Sequence, residues 1–88
     1  MTTSDRMPDT LPELSSSAKA LKPGIYRHFK CGEYEVLGVG RNSLDYSKEL
    51  VFYRSVDSGD LWARPLSDFL ATVERDGYSG PRFVYIGK

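Results

Sequence analysis

After Pro23, apolar and polar residues alternate with a period of two over most of the chain. This period is typical of β-strands that bury one face. Clusters of Gly, Asp, Ser and Pro, which favour turns, separate the alternating segments. The pattern predicts strands over residues 24–30, 33–40, 49–56, 61–64 and 82–86, the last of which is expected to pair with residues 71–75.

Two features interrupt this pattern. Gly38 lies inside the second strand, and the apolar residues move from one face before it to the other face after it. We expect either burial on both faces or a β-bulge near Gly38. Residues 41–48 are polar and are predicted to form a loop. Pro65 opens a short helical turn, because the apolar residues that follow have helical spacing: Leu66, Phe69, Leu70 and Val73.

These elements predict a mainly β fold. About five short antiparallel strands with one helical turn are typical of a small, bent barrel, and an SH3-like barrel is the fold we expect. The alternative is an α+β roll in which an N-terminal helix packs on the sheet. All aromatic residues lie between Tyr26 and Tyr85, so residues 23–88 are predicted to form one small β domain.

Residues 1–22 contain no aromatic residue and have two interpretations. They form either a tail, of which residues 1–10 are expected to be mobile, or a short helix that packs on the domain. Thr10 and Glu13 have the spacing of a capping box, and Pro23-Gly24 would end such a helix. Its apolar face would consist of Leu11, Leu14, Ala18 and Leu21.

Charge and composition narrow the classes of protein. The chain has 88 residues, with 12 Lys and Arg against 12 Asp and Glu, and this zero net charge disfavours a strongly basic nucleic-acid-binding protein. The chain has neither an apolar run near the roughly 18 residues of a membrane span nor a secretory signal. We therefore expect a cytoplasmic protein without a membrane partner. One Cys excludes an internal disulfide.

His28 and Cys31 are the only residues of their types. A thiolate activated by a neighbouring base is one interpretation, but both residues lie at one hairpin end, where a catalytic cavity is not expected. Two soft ligands fall short of the three or four that zinc takes. We predict no catalytic residue, metal or cofactor, and interpret the carboxylate pairs as strand or turn charges: Glu33 and Glu35, Asp57 and Asp60.

Trp62 is central to the functional interpretation. If Leu61 and Ala63 face the core, Trp62 and Arg64 face outward together. An aromatic ring beside a guanidinium can bind a peptide, a modified side chain or single-stranded nucleic acid. The alternative, which we favour for so small a domain, is that Trp62 is its main core residue and that Arg64 forms a salt bridge.

The first strand offers a second aromatic and basic pair. If Ile25 and Phe29 face the core, Tyr26 and His28 face outward, and Tyr53 joins them from the third strand. The candidate ligand-binding residues are therefore Trp62, Arg64, Tyr26, His28 and Tyr53.

Several short motifs occur in order along the predicted domain: Tyr26-Arg27-His28-Phe29-Lys30, Tyr34-Glu35-Val36-Leu37-Gly38, Leu61-Trp62-Ala63-Arg64-Pro65 and Pro81-Arg82-Phe83. In this order, residues 23–86 resemble a family of short bacterial proteins catalogued as a domain of unknown function. The resemblance implies one domain of a shared type. It implies no reaction and no ligand.

Together these features predict a non-catalytic binding module whose partner is a protein, a peptide or a small ligand. One alternative is a small enzyme or enzyme accessory that uses His28, Arg64 and a carboxylate. Another is a weak binder of RNA or single-stranded DNA, which the zero net charge disfavours.

Overall fold

The computed structural model describes residues 13–88, which form seven β-strands and two short helices. No helix in this part of the chain is long and apolar enough to cross a membrane. Residues 1–10, which were predicted to be mobile, lie outside the described residues. The strands are β1 Gly24–His28, β2 Glu33–Asn42, β3 Asp45–Ser55, β4 Leu61–Pro65, β5 Thr72–Arg75, β6 Tyr78–Pro81 and β7 Phe83–Gly87; the helices are α1 Ser16–Ala20 and α2 Leu66–Phe69.

Five strands form one antiparallel sheet in the order β4-β3-β2-β1-β7, and β5 and β6 form a separate hairpin. The prediction of a mainly β fold is confirmed. The sheet does not close into the expected barrel, because β4 and β7 are its two edges and do not pair with each other. It bends far enough for Arg64 of β4 to reach the ring of Phe83 of β7.

β2 and β3 form a long hairpin, so the prediction of a loop over residues 41–48 is wrong. Arg41 pairs with Glu49 and Asn42 with Asp45. The Asn42 side chain accepts a hydrogen bond from the backbone N–H of Leu44 at 2.8 Å, which supports the turn. This end of the hairpin has many exposed side chains, so polar residues occupy both faces and the alternation typical of a half-buried strand is lost.

The pairing predicted for the last strand is also wrong. Asp76 and Gly77 have φ values of 50° and 83°, the left-handed conformations of a tight two-residue hairpin turn. Tyr78 therefore begins the strand that returns along β5, with Arg75 as its partner. β7 is released from that hairpin and pairs instead with β1.

A β-bulge at Leu37 resolves the change of face in β2. Val36 pairs with Tyr53, whereas Gly38 pairs with Phe52, which leaves Leu37 as the extra residue. The bulge lets Val36 and Val39 lie on the same face of the sheet. Of the two expectations for this strand, the bulge near Gly38 is confirmed.

The core lies on one face of the sheet, called here the inner face. Phe69 of α2 covers this face and stacks on Phe83, with 4.1 Å between the ring centroids and 7° between the ring planes. Ala18 of α1 is also buried there. The buried apolar residues among those described are Ala18, Tyr26, Val36, Val51, Tyr53, Leu66, Phe69 and Phe83.

The N-terminal helix is shorter than predicted but packs on the core. It begins at Ser16, because the Ser15 side chain caps it by accepting a hydrogen bond from the N–H of Ala18 at 3.1 Å. The predicted cap, Thr10, lies outside the described residues. Ser15 also donates two hydrogen bonds of 2.7 Å to the carboxylate of Glu49, which tie α1 to β3.

Candidate functional site

The first strand presents the opposite face from the one predicted. Tyr26 is 6% exposed and belongs to the core, so its predicted outward orientation is wrong. Its ring makes edge contacts with Phe69 and Tyr85, and its hydroxyl donates to the backbone oxygen of Lys22 at 2.8 Å. Burial raises the pKa of Tyr26. Both faces of this strand carry apolar residues, so alternation alone did not identify the inner one.

Tyr53 is likewise a core residue and not an exposed platform. It is 5% exposed, and its ring makes edge contacts with Tyr34, Phe69 and Phe83. Its hydroxyl accepts a hydrogen bond from Nε of Arg64 at 3.2 Å. Tyr53 therefore positions the guanidinium from below and leaves little surface for a ligand.

Trp62 is 51% exposed, so the interpretation of this residue as the main core side chain is wrong. In register it pairs with Tyr53, which places both residues on the inner face. The edge position of β4 explains the exposure, since no further strand covers Trp62 on its outer side. Leu61 and Ala63, expected to face the core, are exposed on the opposite face of the sheet.

Arg64 is held by contacts from three elements. Its Nε donates to Tyr53, its Nη1 donates to Oδ2 of Asp68 at 2.5 Å, and its guanidinium carbon lies 5.6 Å from the Phe83 ring centroid. The hydrogen bond to Tyr53, with that to Asp68, raises the pKa of Arg64 and keeps it charged. Its side chain remains 29% exposed, so one part of the guanidinium is available to a ligand.

Arg82 places a second guanidinium beside the same carboxylate. Its Nη2 lies 3.8 Å from Oδ1 of Asp68, and its side chain is 24% exposed. The Nε of Arg82 is buried and has no hydrogen-bond partner among the described residues. Two guanidiniums therefore share one carboxylate, which leaves a net positive charge and an unused donor.

His28 lies beside these groups on the inner face. Its ring makes edge contacts with Tyr34 and Phe83, and its Nδ1 accepts a hydrogen bond from the N–H of Lys30 at 3.1 Å. Burial, and then the positive charges of Arg64, Arg82 and Lys30, lower the pKa of His28. The imidazole is therefore neutral at pH 7 and adds no charge to its neighbours.

These side chains lie on the inner face or at its border, and we call them together the basic–aromatic patch. Its members are Trp62, Arg64, Arg82, His28 and Tyr34, connected beneath by the buried rings of Tyr53 and Phe83. Sequence reasoning did not identify Arg82, Asp68 or Tyr34 as site residues. The Pro81-Arg82-Phe83 motif was visible, but β7 comes to lie beside β1 only through long-range pairing.

The single cysteine lies in a turn, and the carboxylates Glu33 and Glu35 form ion pairs with arginines. Cys31 is exposed in a turn with φ of 89°, and its N–H donates to the backbone oxygen of His28 at 2.9 Å. Glu33 lies 3.3 Å from Arg27, and Glu35 forms a short ion pair with Arg54. No cluster of three potential metal ligands occurs among residues 13–88.

Two of the cavities are lined partly by residues of α1. One, of about 550 Å³, is lined by residues of α1, β3 and α2, including Ser15, Glu49 and Leu66. The other, of about 470 Å³, is more apolar and includes Leu21, Leu70 and Tyr85. Neither of these two cavities is lined by His28, Arg64 or Trp62, and the second also includes Phe83, one of the rings beneath the patch.

The fold and the patch define a small mainly β domain with one open antiparallel sheet. A family model described as a protein of unknown function, DUF1653, matches residues 24–85. The chain belongs to this family, and the resemblance seen in its motifs is confirmed.

A crystal structure of a DUF1653 protein from Bordetella bronchiseptica is similar to this chain. The TM-score is 0.73 and the sequence identity is 29%, over 80% of this chain and 92% of that one. No curated protein matches the sequence. The description of the family names no ligand and no reaction.

Proposed function

We propose that this domain is a non-catalytic binding module whose ligand contacts the basic–aromatic patch. The observation that carries the proposal is the exposure of Trp62 next to a guanidinium pair with one shared carboxylate. A large aromatic side chain that is half exposed on an otherwise packed face is typical of interaction sites.

The chemistry of the patch indicates what the ligand carries. The exposed part of Arg64, together with the net positive charge of the two guanidiniums around Asp68, favours an oxygen acceptor with negative charge, such as a carboxylate. Trp62 favours an apolar or aromatic group beside it. Because Trp62 and Arg64 are two positions apart on one strand, the two ligand groups must be separated by a similar distance.

A peptide with one acidic and one apolar side chain meets this description best. Single-stranded nucleic acid also combines negative charge with rings, but the described surface offers only the net charge of two guanidiniums and one carboxylate at this point. Nucleic-acid binders usually follow the backbone with a longer run of positive charge.

The test uses the peptide acetyl-Thr-Glu-Thr-Leu-Thr-amide, a matched peptide with Lys in place of Glu, and a single-stranded thymidine octanucleotide. Each is titrated into the ¹⁵N-labelled full chain. We expect the acidic peptide to shift the Trp62 indole signal and the Arg64 and Arg82 Nε–H signals, with a Kd of about 1 mM. The Lys peptide and the octanucleotide should bind more weakly.

Variants assign the binding to the patch. Trp62→Ala should weaken binding of the acidic peptide by about tenfold or more. Phe52→Ala, which truncates an exposed aromatic residue on the opposite face of the sheet, is the matched control and should leave it unchanged. Equal binding of the Glu and Lys peptides, or equal binding by Trp62→Ala and the native chain, would show that the proposal is wrong.

A further inference from the structure

β4 is an edge strand whose free backbone groups can be assigned. The N–H of Ser55 donates to the backbone oxygen of Asp60 at 2.9 Å, so the oxygen of Asp60 points toward β3. Along an antiparallel pair this direction alternates from residue to residue. The backbone groups of Trp62 and Arg64 therefore also point toward β3, whereas those of Leu61 and Ala63 point away from the sheet.

Pro65 fits the same assignment. By alternation its nitrogen points away from β3, at a position where a missing N–H costs no hydrogen bond within the sheet. β4 consequently has two outward donors and two outward acceptors, on Leu61 and Ala63, whereas the backbone oxygen of Pro65, the N-cap of α2, belongs to the first turn of that helix. These groups have the spacing of one further strand.

The side chains along this edge do not block such a strand. Natural proteins often protect sheet edges with charged residues, proline or bulges. Pro65 protects one end of β4, but Leu61 is 72% exposed, and Trp62 and Ala63 are also exposed and uncharged. Arg64 is drawn across the inner face by Tyr53 and Asp68 and away from the edge.

The opposite edge of the sheet is less suited to regular pairing. On β7, Tyr85 pairs with Tyr26 and Gly87 with Ile25, so Ile86 is an extra residue that forms a bulge. A bulge disturbs the ladder and increases the local twist. β4 has no such irregularity in its pairing with β3, which is continuous from Leu61 to Pro65.

We infer that β4 binds an extended segment of a partner protein as an additional strand of the sheet. This inference rests on the proposed function and specifies how the ligand lies. Backbone hydrogen bonds to Leu61 and Ala63 hold the segment. Alternate side chains of the segment then lie on the inner face, with an apolar one next to Trp62 and, two positions away, an acidic one next to Arg64. In the antiparallel arrangement the acidic residue comes first, which is the order in the peptide described above.

The experiment separates backbone pairing from side-chain binding. The acidic peptide is compared with the same peptide N-methylated at its alternate threonines, which keeps every side chain and removes backbone donors. We expect the methylated peptide to bind about three- to tenfold more weakly for each lost hydrogen bond. In the complex with the unmodified peptide, amide exchange at Leu61 and Ala63 should slow, while exchange at the already paired Arg64 should change little.

A protein variant tests the same contact from the other side. Ala63→Pro removes an outward N–H that the folded domain does not use, and Ala63→Ser keeps it as the matched control. Ala63→Pro should weaken binding of the peptide about tenfold, while the Trp62 signals of the free variant match those of the native chain. Ala63→Ser should not weaken binding. If Ala63→Pro fails to fold, the methylated peptide still decides the question.

Three results would overturn strand addition. Equal affinity of the methylated and unmodified peptides would do so, as would unchanged exchange at Leu61 and Ala63 in the complex. Concentration-dependent protection of these two amides without peptide, with a dimer in sedimentation, would assign the edge to a second copy of the chain. If Trp62→Ala alone weakens binding, the proposed function stands and the strand arrangement is wrong.

Discussion

The guanidinium carbon of Arg64 on β4 lies 5.6 Å from the ring centroid of Phe83 on β7. Because these strands are the opposite edges of the sheet, the contact shows how strongly the sheet bends. The two edges are connected by side chains and not by backbone hydrogen bonds. The outer side of β4 therefore stays free for pairing, while Phe69 fills the inner face.

Trp62→Ala should cost less stability than the loss of a core aromatic residue. Half of Trp62 is exposed, so we expect the free energy of unfolding to fall by about 2 kcal/mol. Phe69→Ala is the contrasting variant, because Phe69 is fully buried and its loss should cost about 3–5 kcal/mol. Urea denaturation of both variants measures the difference. An unfolded Trp62→Ala variant would return Trp62 to the core and remove it from the site.

Arg64→Lys should destabilise the domain although it conserves charge. A lysine cannot donate to both Tyr53 and Asp68 in the geometry of the guanidinium, so we expect a loss of about 1 kcal/mol. Arg54→Lys on the outer face is the matched control, since its ion pair with Glu35 is exposed and its loss should stay within about 0.5 kcal/mol. Equal melting temperatures for the two variants would contradict the structural role of Arg64.

The fold class followed from the sequence because alternation and turn residues are local signals. The side of the sheet that becomes the core did not, since Ile25 and Phe29 are more apolar than Tyr26 and His28, the alternating residues that lie on the inner face. The β1–β7 pairing was missed for a different reason. Asp76-Gly77 is a strong two-residue hairpin signal, and giving it that weight would have paired residues 72–75 with 78–81 and freed the last strand.

Part of the candidate site could be predicted from the sequence. Strand alternation placed Trp62 and Arg64 on one face, and the structure has them there. Alternation could not identify Asp68 and Arg82 as site residues, because their proximity to Arg64 depends on how α2 and β7 cross the inner face. Exposure of Trp62 depended on β4 being an edge, which is a property of the whole sheet.

Ser15→Ala should weaken the attachment of α1 to the sheet. The variant loses the helix cap to Ala18 and the side-chain hydrogen bond to Glu49, and we expect a cost of about 1 kcal/mol. Ser17→Ala is the matched control, because the same chemical change occurs inside the helix without a cap. Amide exchange at Ala18 and Lys19 should rise only in Ser15→Ala. Because hydrogen bonds from Ser15 lower the pKa of Glu49, that pKa should move toward its ordinary value in the same variant.

The pH dependence of stability should carry a contribution from His28 with a defined sign. Burial and the neighbouring positive charges lower its pKa in the folded domain, so the unfolded chain binds a proton more readily. The stability that neutral His28 contributes is therefore present above its unfolded pKa of 6.5 and is lost as the pH falls from there through the folded pKa. Urea denaturation between about pH 7.5 and pH 5 should show this decline, and NMR titration of the imidazole gives the folded pKa directly.

His28→Gln cannot titrate in this window and is the matched control, so its stability should depend less steeply on pH. A native chain that becomes more stable on acidification through this range, or a variant with the same slope, would show that burial and the neighbouring positive charges do not lower the pKa of His28.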